Sequence, residues 1–301
     1  MSALGPAVAR TGRPGLRAYL SCIRYHDVLV LQGSPLLGFA FSSPALSAET
    51  ALQVLLLGGA SFLLVAHVFA FNDWVGAASD ARDPNKAPAT FLTKGVSRPE
   101  LGILSLVLLL AGLALFTLLP ARTLVLALAI AVLSTAYSHP AVNAKGVPVL
   151  SSVPHLAGGV LHFLLGYSVL APVDGRGTLI ALFFALTFTA GHLNQEVRDH
   201  DGDRATGYRT NAVVFGPVPA FIAGLGVFTL AYADLSLLAW MGLVPAAIGW
   251  LPLALYPLHA WWSIRTLKQG LSFGTVSRFQ KRYRMLYALI GAGMLAAIVL
   301  R

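Results

Sequence analysis

The chain has 301 residues, 56% of them hydrophobic and only 11% charged, where a soluble globular protein carries about 25% charge. Its formal charge is +9 and it has a single cysteine, Cys22, which excludes intrachain disulfides and thiolate metal clusters. Its apolar runs suit membrane-spanning helices, and an outer-membrane barrel is excluded because the alternating strands and regular turns are missing.

The first 26 residues form a basic tail with Arg10, Arg13, Arg17 and Arg24. No apolar core precedes a small-residue cleavage site, so the tail is not read as a secretory signal; Leu16 to Tyr25 is expected to form a short interfacial helix. Residues 27–301 contain no linker and read as one transmembrane domain. Apolar stretches of about 17–25 residues suffice to cross a bilayer. They fall near 28–45, 50–71, 101–119, 122–138, 149–170, 178–197, 217–235, 240–262 and 284–300. The expected fold is therefore all-α, with about nine transmembrane helices. Gly33 and Pro35 interrupt the first span.

Of 21 lysines and arginines, all but Arg122, Arg176 and Arg301 lie in the tail or after the second, fourth, sixth and eighth spans. The positive-inside rule places that side in the cytoplasm, as in a bacterial inner membrane. The positive charge is then a topology signal beside anionic lipid headgroups, not a nucleic-acid footprint. No obligate protein partner is evident, and membrane lipid is the expected surrounding.

More than half of the 12 acidic residues gather in two places. One holds Asn72-Asp73, Asp80 and Asp83; the other holds Asn194, Glu196, Asp199, Asp201 and Asp203. Carboxylates at membrane depth cost on the order of 2.5–3.5 kcal/mol each at a helix centre. If the second helix runs three turns past Asn72, then Asp73, Gly76, Asp80 and Asp83 share one stripe. Glu196, Asp199 and Asp203 repeat the spacing on the sixth, and Asp201 falls off that stripe. Like charges stacked in this way repel, and a bound cation relieves them. All-oxygen donors point to Mg2+ or manganese rather than zinc. Lys94, Lys145, Arg198, Arg204 and Arg209 lie near the stripes, a mixture suited to a magnesium–diphosphate. The first cluster follows the second span and the second cluster follows the sixth. That echo suggests two four-helix halves around one central cavity, with a ninth helix outside the repeat.

Several stretches together resemble the UbiA superfamily of intramembrane prenyltransferases. Asn72 to Asp80, NDWVGAASD, matches that family's Asn-Asp-x-x-Asp-x-x-x-Asp motif except at Gly76. Asp83-Pro84-Asn85-Lys86 and Thr93-Lys94-Gly95-Val96-Ser97 are similar to its next loop, and Tyr137-Ser138-His139-Pro140 with Lys145 to a later element. Asn194 to Gly216, NQEVRDHDGDRATGYRTNAVVFG, fits its Asp-x-x-x-Asp-Arg-x-x-Gly-x-x-Thr pattern. The resemblance spans nearly the whole chain in order. It implies a UbiA-type bundle in which magnesium, held by both motifs, binds an isoprenyl diphosphate whose allylic cation alkylates an aromatic or quinone-precursor acceptor. On it, Asp73, Asp80, Asp199 and Asp203 carry catalysis and, with Asp83 and Glu196, hold the metal. Asn72, Asn194, Lys94, Lys145, Arg198, Arg204 and Tyr137 bind substrate. Gly76 removes one carboxylate; either Asp83, one turn beyond Asp80, substitutes for it or the site holds metal less tightly.

Two other readings stay open. A terpene cyclase of the same superfamily would close the cation on itself, and a cation-coupled transporter would also carry intramembrane acids. Charges at helix ends beside Arg and Lys disfavour the transporter. His67, His162 and His192 read as packed, hydrogen-bonded histidines, with the alternative that His192, four residues before Glu196, faces the cavity and assists acceptor deprotonation. Trp74, Phe163 and Tyr167 read either as packing or as cation-stabilising rings.

Overall fold

The computed structural model describes residues 15–42, 47–139, 141–142 and 144–300; Arg10, Arg13, Pro140 and Arg301 lie outside them. Among the described residues the chain is helical, without strands. Twelve α-helices occur in order: α1 Leu16–Cys22, α2 Tyr25–Leu31, α3 Gly33–Phe41, α4 Ala48–Asp80, α5 Arg98–Phe116 and α6 Ala121–Ser138. They continue with α7 Val153–Tyr167, α8 Gly175–Thr206, α9 Asn211–Phe215, α10 Pro217–Trp240, α11 Trp250–Gln269 and α12 Phe273–Val299.

Six of them, α4, α5, α6, α8, α10 and α12, are long and apolar enough to cross a membrane. The other three expected spans are helical but shorter, broken or more polar. The first splits into α2 and α3 at Gln32, with Pro35 in the first turn of α3. The fifth keeps only 15 helical residues in α7. The eighth begins at Trp250 rather than near residue 240, because α10 runs to Trp240 and Gly242 turns the chain at φ 69°.

Helices α4 and α8 set the architecture. Ser47 starts α4 through a capping box in which its Oγ accepts from the Thr50 amide at 3.1 Å. Asp174 starts α8 by accepting from the Gly177 amide at 2.6 Å. At about 1.5 Å per residue each runs roughly 50 Å, some 20 Å beyond a hydrocarbon core of about 30 Å. Their last turns therefore stand clear of the most apolar layer. Those are the turns that carry the acidic residues.

Around this pair, α4 packs along α5 and α6, and α8 along α7, α10 and α12, while α12 also meets α3. The Asp27–Arg284 ion pair at 3.0 Å ties α2 to α12. The α3–α7 contact depends on glycine at both faces. A Cβ on Gly166 would lie 1.7 Å from the Pro35 carbonyl oxygen, and one on Gly38 would lie 2.1 Å from that of Phe163. Small residues let helix backbones touch in this way where lipid gives no hydrophobic drive for association. At the end of the bundle opposite the acids, Arg122 donates to the Ser168 carbonyl at 2.6 Å, and Arg176 to those of Phe41 and Leu243 at 3.1 and 3.0 Å. These two cations cap carbonyls that helix ends leave open.

Candidate active site

The C-terminal ends of α4 and α8 meet. A narrow polar pocket between them is lined by Ser79 and Asp80 of α4, by Asp83 and Lys86 of the loop beyond it, by Asp203 and Thr206 of α8, and by Lys145 and Tyr208. Two helix C-termini bring two negative dipole ends to one place, so the backbone and the carboxylates both favour a cation there.

Lys86 is the internal cation that answers this field. Its Nζ lies 3.0 Å from Asp199 Oδ2 and 3.8 Å from both Asp83 Oδ2 and Asp203 Oδ1. Burial opposes its charge, but the carboxylates of Asp199 and Asp203 outweigh burial and hold its pKa above the ordinary lysine value. Lys145 stands 4.8 Å from the Tyr208 ring centroid, and the Tyr208 hydroxyl reaches Ser79 Oγ at 3.4 Å.

Helix α4 ends at Asp80, so Asp83 belongs to the loop and not to a third helical turn. Pro84 explains the stop, because a residue preceding proline is disfavoured in helical geometry. Asp83 is 3% exposed, accepts from the Asn85 amide at 2.9 Å and packs on α8 at Gly202. A Cβ on Gly202 would sit 2.1 Å from Asp83 Oδ2. The loop can dock only because that helical position has no side chain.

Each acidic stripe divides by depth. Asp73 and Glu196 lie seven residues, or about 10 Å along the axis, below Asp80 and Asp203. Both of these deeper carboxylates are engaged by the protein's own donors, Asp73 by a cation and Glu196 by hydrogen bonds. Arg24 forks onto Asp73, with Nε at 3.0 Å from Oδ2 and Nη2 on Oδ1. Glu196 is 5% exposed and accepts from Ser151 Oγ at 3.0 Å, His192 Nε2 at 3.1 Å and the Asn211 amide and side chain at 3.0 and 2.9 Å. An unpaired carboxylate grows more costly with depth, which accounts for the division. Asp73 and Glu196, expected as metal ligands, are thus held by protein donors and are not among the residues that line the pocket.

Other expected contacts also move elsewhere. Asn194 is 1% exposed; its Nδ2 donates to the Ala190 carbonyl at 2.9 Å, and its amide packs against Gly224 of α10. Lys94 Nζ donates to the Ser21 carbonyl at 2.8 Å. Arg198 forks onto Asp199 at 2.7 and 3.0 Å and reaches Gln280 of α12 at 3.0 Å. Arg204 is exposed and, among the described residues, makes no ion pair. Asn72 accepts from Ser138 Oγ at 3.4 Å, beside Tyr137. Trp74 packs on Gly102 under Arg98, and Phe163 and Tyr167 belong to the apolar core. His67 is bonded to Ser105, and His162 to Ser61.

In the sequence Lys86 figures as a topology charge and as part of the Asp83-Pro84-Asn85-Lys86 stretch, with no site role assigned, although it stands three residues after Asp83 on the polar side. Tyr208 sits inside the second motif and was passed over. For His155, in an apolar run, no signal existed.

Among the described residues no three His, Cys, Asp or Glu side chains converge closely enough to hold a metal alone. Asp80 lines the pocket with no side-chain hydrogen bond among the described residues, and Asp83, Asp199 and Asp203 surround an ammonium. A donor set of this kind, all oxygen and incomplete, fits magnesium, which retains waters and takes further oxygens from phosphate.

Fold and site define an integral membrane protein whose helical bundle presents a cation-seeking polar mouth at one end. The chain belongs to the UbiA prenyltransferase family, whose model matches residues 34–297. Its fold is similar to that of a UbiA homolog from Archaeoglobus fulgidus bound to GPP and Mg2+, with TM-score 0.73 and 20% identity over 94% of this chain and 99% of that one. It is also similar to the structure reported for digeranylgeranylglyceryl phosphate synthase (TM-score 0.70, 18% identity, 95% and 99% covered). The apo UbiA homolog from Aeropyrum pernix K1 gives TM-score 0.68 at 19% identity, covering 90% and 97%. No curated protein sequence matches the chain significantly.

Proposed function

We propose that the chain transfers a prenyl group from an isoprenyl diphosphate to an aromatic or quinone-precursor acceptor, with magnesium, at the cytoplasmic side of the membrane. The observation that carries this reading is the meeting of both acidic helix ends on one pocket, with Lys86 and Lys145 among the carboxylates. The related A. fulgidus protein binds GPP and Mg2+.

In this reading Asp80, Asp83, Asp199 and Asp203 hold magnesium, which supplies charge neutralisation for a leaving diphosphate. Lys86 and Lys145 present fixed positive charge to the same oxygens. Such groups accelerate the reaction because negative charge on the bridging oxygen grows as the carbon–oxygen bond breaks. Tyr137 offers a ring face to the allylic cation. The apolar bundle excludes water from that cation and leaves the isoprenoid tail among lipid-like side chains.

The test is product mass after incubating the purified chain with Mg2+, geranyl, farnesyl and geranylgeranyl diphosphates, and a panel of hydroxylated aromatic acceptors. A prenylated acceptor that disappears with chelator supports the reading. Cyclic hydrocarbon released without acceptor would replace it with a cyclase, and magnesium-independent flux of substrate across proteoliposomes with a transporter.

A further inference from the structure

Outside the pocket, two histidines clustered beside Tyr137 have no role in the prenyl-transfer reading. His155 of α7 and His192 of α8 stack face to face, with ring centroids 3.7 Å apart and planes 11° from parallel. Tyr137 of α6 stands edge-on, 4.9 Å from His155 and 6.5 Å from His192. Phe188, one turn before His192, meets the other side of His155 at 5.4 Å. Tyr137, His155 and Phe188 are only partly covered although α6, α7 and α8 surround them. Tyr137 lies within electrostatic range of Glu196, and of Asp203 and Tyr208, which line the pocket. The cluster therefore adjoins the polar pocket.

Hydrogen bonds fix both rings. His155 Nδ1 donates to the Ser151 carbonyl at 2.9 Å, which leaves its Nε2 as a lone pair. His192 Nε2 donates to Glu196 Oε1 at 3.1 Å, which leaves its Nδ1 as a lone pair. Among the described residues no hydrogen bond to either lone pair is found; His155 is half-buried and His192 is buried. The unpartnered Nε2 atoms of His67 and His259 are sealed in the interior. The carboxylate behind His192 is itself held by Ser151 and Asn211. A carboxylate on one ring nitrogen sets the tautomer and makes the other nitrogen the stronger base.

We infer that His192 is the base that removes the proton displaced from the acceptor, with Glu196 as a positioning residue. The inference rests on the prenyl-transfer reading above. The donor's carbon–oxygen bond breaks with its electron pair leaving on diphosphate. An acceptor π pair forms the new carbon–carbon bond, and the acceptor's C–H (or an O–H in conjugation with it) returns its pair to the ring. The proton passes to His192 Nδ1, where Glu196 balances the imidazolium, and no further reactant is required. Beside Glu196, the charged or titratable groups facing the pair are Tyr137 from α6 and Lys145 from the connection after it. His155 fixes the ring by stacking.

The experiment uses the full chain in detergent with Mg2+, geranyl diphosphate and the best acceptor of the panel, following diphosphate release and prenylated product separately. In His192→Gln, product formation falls about 100-fold, diphosphate release falls far less, and added imidazole restores part of the product. In Glu196→Gln, the acid limb of the pH–rate profile moves to lower pH, because the carboxylate no longer favours the protonated ring. Product and diphosphate staying matched in His192→Gln would overturn the inference. So would an unmoved acid limb in Glu196→Gln, which decides the matter if His192→Gln does not fold. A wild-type chain that prenylates nothing removes the underlying reading and this inference together. Active wild type with unaltered variants removes this inference alone.

Discussion

Replacing Lys86 by methionine tests whether the protein supplies its own counter-ion at the meeting of α4 and α8. The Lys86 side chain is 24% exposed, and those of Asp83, Asp199 and Asp203 around its ammonium are 4%, 12% and 7% exposed. At an effective dielectric near 20, each contact at about 4 Å is worth roughly 4 kcal/mol before desolvation. Removing one partner of so covered a group costs about 3–5 kcal/mol, because the remaining charges are left facing one another. For a domain of this size that lowers the unfolding temperature on the order of 10 °C. Thermal unfolding in detergent with chelator, followed by tryptophan fluorescence, measures the loss. Added Mg2+ is expected to narrow the gap between variant and wild type, since a cation that binds the folded form stabilises it by mass action. Equal unfolding temperatures in chelator would refute the reasoning, and so would a gap that magnesium leaves unchanged.

Further expectations concern single positions. The Lys86 pKa is raised in the folded state, so its contribution is fully present below the unfolded lysine value and fades only as pH climbs through the folded one; the Lys86→Met deficit in chelator should stay constant from about pH 7 to about pH 9. Gly202→Ala forces a Cβ to within 2.1 Å of Asp83 Oδ2; a loss of about 1–3 kcal/mol and a higher magnesium requirement are expected, and unaltered magnesium titrations would count against the docked loop. Asn194→Ala should lower stability modestly while preserving the magnesium dependence, whereas Asp203→Asn should cost at least tenfold in turnover; equal effects would put Asn194 back in the site. At Gly76 a Cβ would stand 3.3 Å from Asp80 Oδ2, so Gly76→Asp adds a carboxylate beside Asp80, and half-maximal magnesium should fall about tenfold; a rise would show that the pocket does not accept a further ligand.

The spans and the acidic stripes are legible because lipid imposes a simple rule on composition and helical geometry imposes a period. Even Asn194 carried a readable warning: nine residues before Asp203 is about 180° around the helix, on the face that meets α10. Glu196 carried none, since seven residues place it on the same stripe as Asp203, two turns deeper. Whether a carboxylate there meets a ligand or a protein donor depends on Ser151 and Asn211, which arrive from other segments. In the same way Asp73 is claimed by Arg24, from the junction of α1 and α2.

What the residues settle unaided is a helical membrane bundle with two acidic helix ends and basic connections on one side, because apolar length, charge asymmetry and spacing are local properties. Which acids face the pocket, which are held by donors within the bundle, and that Lys86 joins the former and the His155–His192 stack the latter depend on the rotation and depth of helices far apart in the chain. Those are fixed by close packing at points such as Gly202 against Asp83 and Gly166 against Pro35. A seam of that kind has no periodic signature, so only the assembled fold displays it.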